Sequence, residues 1–240
     1  MKKTILIVLA VSLSLVITTS SCFAAKSEFS DINGHYAENT INKWADSGII
    51  SGYPDGTFKP DNPVTRAELA KILTNAFELT ETSPLDYADI NSSAWYYPYL
   101  ECAAKYIPVY ALPVAYESNI PYIGAGEQEE SKFLPEVETI RTHVAEALVE
   151  IKMEKENLRI DIPPIDDVQA SLLETFNDAD YEELFAMVSG VPANVKRMFN
   201  YAWMANELGV MQGDADGYFH PYGKITRAEL LIAIDRIFAN

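Results

Sequence analysis

Cysteine is nearly absent from this chain of 240 residues, which has only Cys22 and Cys102. Cys22 lies in the N-terminal leader described below, so no internal disulfide is expected and Cys102 reads as a small buried hydrophobe. Basic residues are scarce as well: 18 Lys and Arg stand against 35 Asp and Glu, a formal charge of −17. A field of that sign repels nucleic acid and anionic surfaces, so any anion has to be held at a local basic spot. Histidine occurs only as His35, His143 and His220, and neither HExxH nor a serine elbow is present. Metalloprotease and serine-hydrolase chemistry lack their residues, and no metal, cofactor or enzymatic activity is expected. Carboxylate pairs are too common in so acidic a chain to identify a hydrolase.

Long apolar runs are missing too, except from Thr4 to Thr18. That run is short for a membrane span. Lys2 and Lys3 precede it and Ala24-Ala25 follow it, the layout of a secretory signal peptide over residues 1–25 rather than of an uncleaved anchor. Thr19-Ser20-Ser21 is a poor approach to a lipid-modified Cys22. The mature protein is expected to be exported and free of membrane, with 16 basic against 35 acidic residues, a net of −19.

What the chain does have is a repeat. ISGYPDGTFKPDNPVTRAELAKIL, starting at Ile50, returns 161 residues later as MQGDADGYFHPYGKITRAELLIAI, and ten of 24 positions are identical without a gap. Upstream of the first copy, Ala37, Ile41, Trp44 and Ala45 share one face of a helix, and Gly48 stands where a helix would end. YPDG is a tight turn that gives Gly56 a positive φ. Leu69, Ile72, Leu73, Ala76 and Phe77 then line a second helix, so the unit is helix, loop, helix. A weaker copy lies between the two, with Asp89-Ile90 echoing Asp31-Ile32 and Phe133 to Ile151 echoing the TRAE region. It keeps Arg141 but has Ile140 and His143 where Thr and Glu stand elsewhere, and Ala111–Lys132 replaces the glycine turn.

Thr65 and Glu68 have capping-box spacing, as do Thr226 and Glu229, so helix capping accounts for both pairs. It does not account for Arg66 and Arg227. An arginine at the first helical position faces the positive end of the helix dipole, yet beside free N–H groups it suits a carboxylate or phosphate. Asp31, Asp89 and Asp178 read first as caps of the helices after them. Trp44 and Trp203 read as core, whereas Trp95 in SSAWYYPY is open to either a packing or a binding role. DADGYF invites a calcium loop, but Gly217 is fourth rather than sixth and Ile225 holds the twelfth position, so the spacing fails.

FSDI, GIISGYPDGTFKPDNPVTRAEL and ITRAEL resemble the S-layer homology family, closely in the first and last copies. The resemblance implies a mainly α domain: three helix-loop-helix repeats in pseudo-threefold arrangement around a central helical bundle, with grooves between neighbours. Its expected spans are 28–80, a degenerate second repeat at 86–152, a connector at 153–175, and a third repeat with an extended first half at 176–240. The function it implies is non-covalent attachment to the bacterial cell wall, at the cell surface, through an anionic secondary cell-wall polysaccharide or peptidoglycan-linked glycan, commonly pyruvylated. The ligand-binding residues it implies are Arg66, Arg227 and Arg141, with Asp31, Trp95, Gly52 and Gly213 beside them. Arg141, without its capping box, is expected to be loosely held and the weakest of the three. The alternative is a structural or protein-interaction module of the envelope whose degenerate middle repeat has lost glycan binding.

Overall fold

The computed structural model describes residues 29–109, 132–178 and 193–239. The expected leader lies outside them, as do residues 111–131 of the segment replacing the glycine turn. The described residues are mainly α: α1 Glu38–Asp46, α2 Arg66–Ala76, α3 Tyr97–Ala103 with a 3-10 turn Ala104–Tyr106, α4 Arg141–Glu156, α5 Ile165–Thr175, α6 Ala193–Glu207 and α7 Arg227–Ala239. α1 packs against α7, α2 against α3, and α6 against both α4 and α5.

The local patterns explain the elements. On α1 the apolar face is Ile41 and Trp44, both buried, and Gly48 at φ +74° closes the helix as only glycine does cheaply. α2 buries Leu69, Ile72, Leu73 and Ala76. At its start Thr65 is extended, its Oγ1 accepts the Glu68 N–H at 3.2 Å, and Glu68 Oε2 accepts the Thr65 N–H at 3.0 Å. α7 starts the same way: the Thr226 N–H donates to Glu229 Oε2 at 2.8 Å and the Glu229 N–H to Thr226 Oγ1 at 3.2 Å. α4 has no such box, because Ile140 is its N-cap and contributes no side-chain bond. Instead α4 is buried around its circumference, from Arg141 through Val149, which makes it the central helix among those described. The span read as a connector, 153–175, holds the end of α4 and all of α5. Pro163 and Pro164 stiffen only the extended link, and Asp166 and Asp167 favour the first turn of the helix that follows.

The three helix starts meet at their backbones. The Val64 N–H donates to Ile225 O at 3.1 Å, the Ile225 N–H to Thr139 O at 3.4 Å, and the Thr139 N–H to Val64 O at 2.8 Å, so three peptides close a ring. Around it, the first two N–H groups of each helix find acceptors in another segment. Arg66 and Ala67 donate to Val137 O and Pro135 O, Arg141 and Thr142 to Gly223 O and Pro221 O, and Arg227 and Ala228 to Asn62 O and Pro60 O. These N–H groups have no partner within their own helix, so the ring and its surround satisfy the donors that helix geometry leaves over.

Candidate functional site

The tight turns set the site. Gly56 at φ +79° and Gly217 at φ +80° turn the chain, and each donates its N–H back to the residue three before, Tyr53 and Asp214. The chain then passes Phe58, Phe133 or Phe219, each buried, and enters a left-handed residue, Lys59, Leu134 or His220, at φ 55° to 57°. That conformation costs a non-glycine residue on the order of 1 kcal/mol. The aspartates compensate. Asp31 accepts the N–H groups of Phe58 and Lys59 at 2.8 and 2.7 Å; Asp89 accepts those of Phe133 and Leu134, both at 2.8 Å; Asp178 accepts those of Phe219 and His220 at 2.8 and 2.6 Å. Asp31 and Asp89, expected as helix caps, cap neither α1 nor α3, whose N-cap residues Ala37 and Tyr96 make no side-chain cap bond. They clamp a distant loop because two convergent N–H groups bind a carboxylate better than one helix-end donor does.

With both N–H groups clamped, each phenylalanine carbonyl is presented to an arginine from elsewhere. Arg227 Nε donates to Phe58 O at 2.9 Å, Arg66 Nε to Phe133 O at 2.6 Å and Arg141 Nε to Phe219 O at 2.6 Å. Each guanidinium also lies over the ring of the same phenylalanine, at 4.5, 4.5 and 5.4 Å respectively. The remaining donors separate the three. Arg141 Nη1 donates to Glu229 Oε1 at 2.9 Å and Nη2 to Gln212 O at 3.0 Å. Arg227 makes the corresponding bonds to Glu68 Oε1 and Ser51 O at 3.5 and 3.4 Å, long enough to yield to a better acceptor. Arg66 has no carboxylate there, since His143 holds the position that Glu68 and Glu229 hold in their helices. Its Nη2 is buried without a hydrogen-bond partner, and burial pulls its pKa down to about 10. The His143 imidazole, fully buried and next to Arg66, is pushed down to about 3.

Two grooves open beside these arginines. The first, about 230 Å³, is bounded by Ser51, Gly52, Tyr53, Glu68, Trp95 and Arg227. The second, about 530 Å³, is bounded by Gln212, Gly213, Asp214, Glu229, Tyr36 and Arg141. Each takes a loop and helix from one segment, a guanidinium from a second and an exposed aromatic from a third. Trp95 is 51% and Tyr36 68% exposed, whereas Trp44 is buried and donates its indole N–H to Asp235 at 3.1 Å, and Trp203 packs against the core. Gly52 and Gly213 line the grooves with no room behind them. A Cβ on Gly52 would meet Phe29 at 2.3 Å and the Thr57 carbonyl at 2.5 Å, and one on Gly213 would meet Phe176 at 3.0 Å.

Arg66 lines neither groove and is 2% exposed, so its side chain is placed differently from those of Arg227 and Arg141. Arg141 is not loosely held either: helix α4 begins directly at it, and three protein acceptors outside α4 hold its guanidinium. The missing capping box therefore leaves its side chain no freer, because neighbouring segments rather than its own helix fix it. Pattern reading missed Glu68 and Glu229 as guanidinium acceptors, since the cap already explained them. It also missed Tyr36, five residues after Asp31, although Trp95 follows Asp89 by six and gives the same signal.

The fold and its grooves define a helical module with an arginine from another segment lining each groove. Comparison with known proteins places it. The model of the S-layer homology domain matches residues 28–70 and 198–231. The surface-layer 125 kDa protein of Lysinibacillus sphaericus is 27% identical over 220 residues, 90% of this chain and 15% of that protein. The S-layer protein EA1 of Bacillus anthracis is 44% identical over 57 residues, 23% of this chain and 7% of that protein. A cellulosome-anchoring protein of Acetivibrio thermocellus is 32% identical over 74 residues, 30% of this chain and 17% of that protein. The chain thus spans less than a fifth of the length of these relatives. Those two matched segments carry the signature of the S-layer homology domain.

Proposed function

We propose that this chain is a cell-surface, non-enzymatic module that attaches to the bacterial cell wall by binding an anionic, pyruvylated secondary cell-wall polysaccharide. The matches to the S-layer homology domain and the similarity to S-layer and cellulosome-anchoring proteins support wall attachment. The observation that carries the glycan chemistry is the first groove, where Arg227 holds its Nη donors in long contacts of 3.4 and 3.5 Å beside the half-exposed Trp95. A ketal carboxylate is planar and matches a guanidinium bidentately, while the indole covers an apolar sugar face. Arg227 is the leading contact and Arg141 the second, because Arg141 must release tighter bonds. Arg66 serves as a structural cation. Three units around the backbone ring, near 28–80, 86–152 and 176–240, are the proposed organisation, which the ring and the repeated aspartate clamps support.

Titration of purified sacculi, native and after mild acid removal of pyruvate, tests this with wild type, Arg227→Ala and Arg141→Ala. Binding is expected to fall with Arg227→Ala, less with Arg141→Ala, and for every form when pyruvate is removed. Unchanged binding of Arg227→Ala to native sacculi would leave the chain as an envelope interaction module instead.

A further inference from the structure

Each groove holds a second cation. Lys71 lines the first groove from α2, and its ammonium lies 5.8 Å from the ring centroids of both Trp95 and Tyr99. It makes no ion pair with any described residue. The matching position on α7 is Ile232, which carries no charge, yet Arg236 one turn later lines the second groove. Arg236 also has no ion-pair partner among the described residues. Lys132, Lys155, Arg159 and Lys196 also lack an ion pair among the described residues, but Lys71 and Arg236 are the ones that line the two grooves beside Arg227 and Arg141.

We propose that Lys71 and Arg236 are specificity-determining residues that read a second anionic group on the glycan, so that the preferred ligand carries two negative charges within reach of one groove. The proposal rests on the grooves binding anionic glycan at Arg227 and Arg141. The guanidinium takes the first carboxylate. The second charge meets the Lys71 ammonium beside two aromatic rings in one groove and the Arg236 guanidinium in the other. Lysine acts as a point charge tolerant of geometry, and arginine demands a planar acceptor, so the two grooves differ in what they accept at this second position.

The test uses two probes, a pyruvate-ketal hexoside with one carboxylate and a disaccharide carrying a pyruvate ketal and a uronic acid. Calorimetric titration of the full chain is expected to show the disaccharide binding more tightly. Lys71→Met and Arg236→Met together should weaken the disaccharide about tenfold and leave the monoanion unchanged, because one charge-assisted contact per groove is lost. Lys71→Arg should restore the first groove. Equal affinity of the double variant and wild type for the disaccharide overturns the inference, provided Arg227→Ala still weakens monoanion binding. If Arg227→Ala binds both probes as wild type does, the groove assignment itself fails and this inference with it. Thermal melts of each variant exclude unfolding as the cause.

Discussion

Arg141 Nη1 donates to Glu229 Oε1 at 2.9 Å across 88 residues of sequence, while Oε2 of the same carboxylate accepts the Thr226 N–H at 2.8 Å. One side chain therefore caps its own helix and holds the cation of another segment. Thr226→Ala removes only the cap and is expected to cost about 1 kcal/mol. Glu229→Ala removes both and is expected to cost about 2–3 kcal/mol, the ion-pair share kept modest because Glu229 is 35% exposed. Urea unfolding of the two variants checks the order; equal losses would mean the Arg141 contact contributes nothing.

Arg66→Met is expected to separate stability from binding. The buried Nε bond to Phe133 O is lost, which should cost about 1–3 kcal/mol, partly offset because the unpartnered Nη2 is removed with it. Affinity for sacculi per folded molecule should stay at the wild-type value. A selective loss of binding without loss of stability would return Arg66 to the site.

His143 gives the domain an acid-sensitive core. Its imidazole is held neutral down to about pH 3, whereas the unfolded chain takes up a proton near the ordinary histidine value of 6.5. Between those values the unfolded state binds more protons, so stability is complete above about pH 6.5 and falls as pH drops toward 3, by up to about 1.4 kcal/mol per pH unit. His143→Gln should flatten that slope between pH 6.5 and 4 relative to wild type. Parallel curves for the two proteins would exclude His143 as the source.

Gly52→Ala and Gly56→Ala should both destabilise, for different reasons. At Gly52 the new methyl would overlap backbone at Thr57, and since that carbonyl cannot step aside, a loss of about 1–3 kcal/mol is expected. At Gly56 nothing lies within 4 Å, so only the positive φ is penalised, at about 1 kcal/mol. Thermal unfolding of the pair, with Gly52→Ala melting lower, checks the distinction.

The helices and their caps were legible because their causes are local. The stripe from Leu69 to Phe77, the spacing of Thr65 and Glu68 and the glycine after α1 each act within a few residues of themselves. The site was legible only in outline. Arg227 stood out because capping gives no reason for it, but its carbonyl partner lies 169 residues away. Asp31 looked like a cap because an aspartate before a helix usually is one; its clamp on residues 58 and 59 follows from how the loop folds back. Arg141 looked unsupported for the same reason, its supports being on other segments.

The closed ring of Val64, Thr139 and Ile225 has a consequence in time. A chain made from its N-terminus carries Tyr53, Phe58 and Glu68 into solvent long before Arg227 exists to meet them. The first groove is thus completed only once α7 has been made. A product cut short between α3 and α7 would have the loop and the indole but no Arg227 guanidinium beside them. Attachment through this groove, as proposed, would require synthesis to have reached α7.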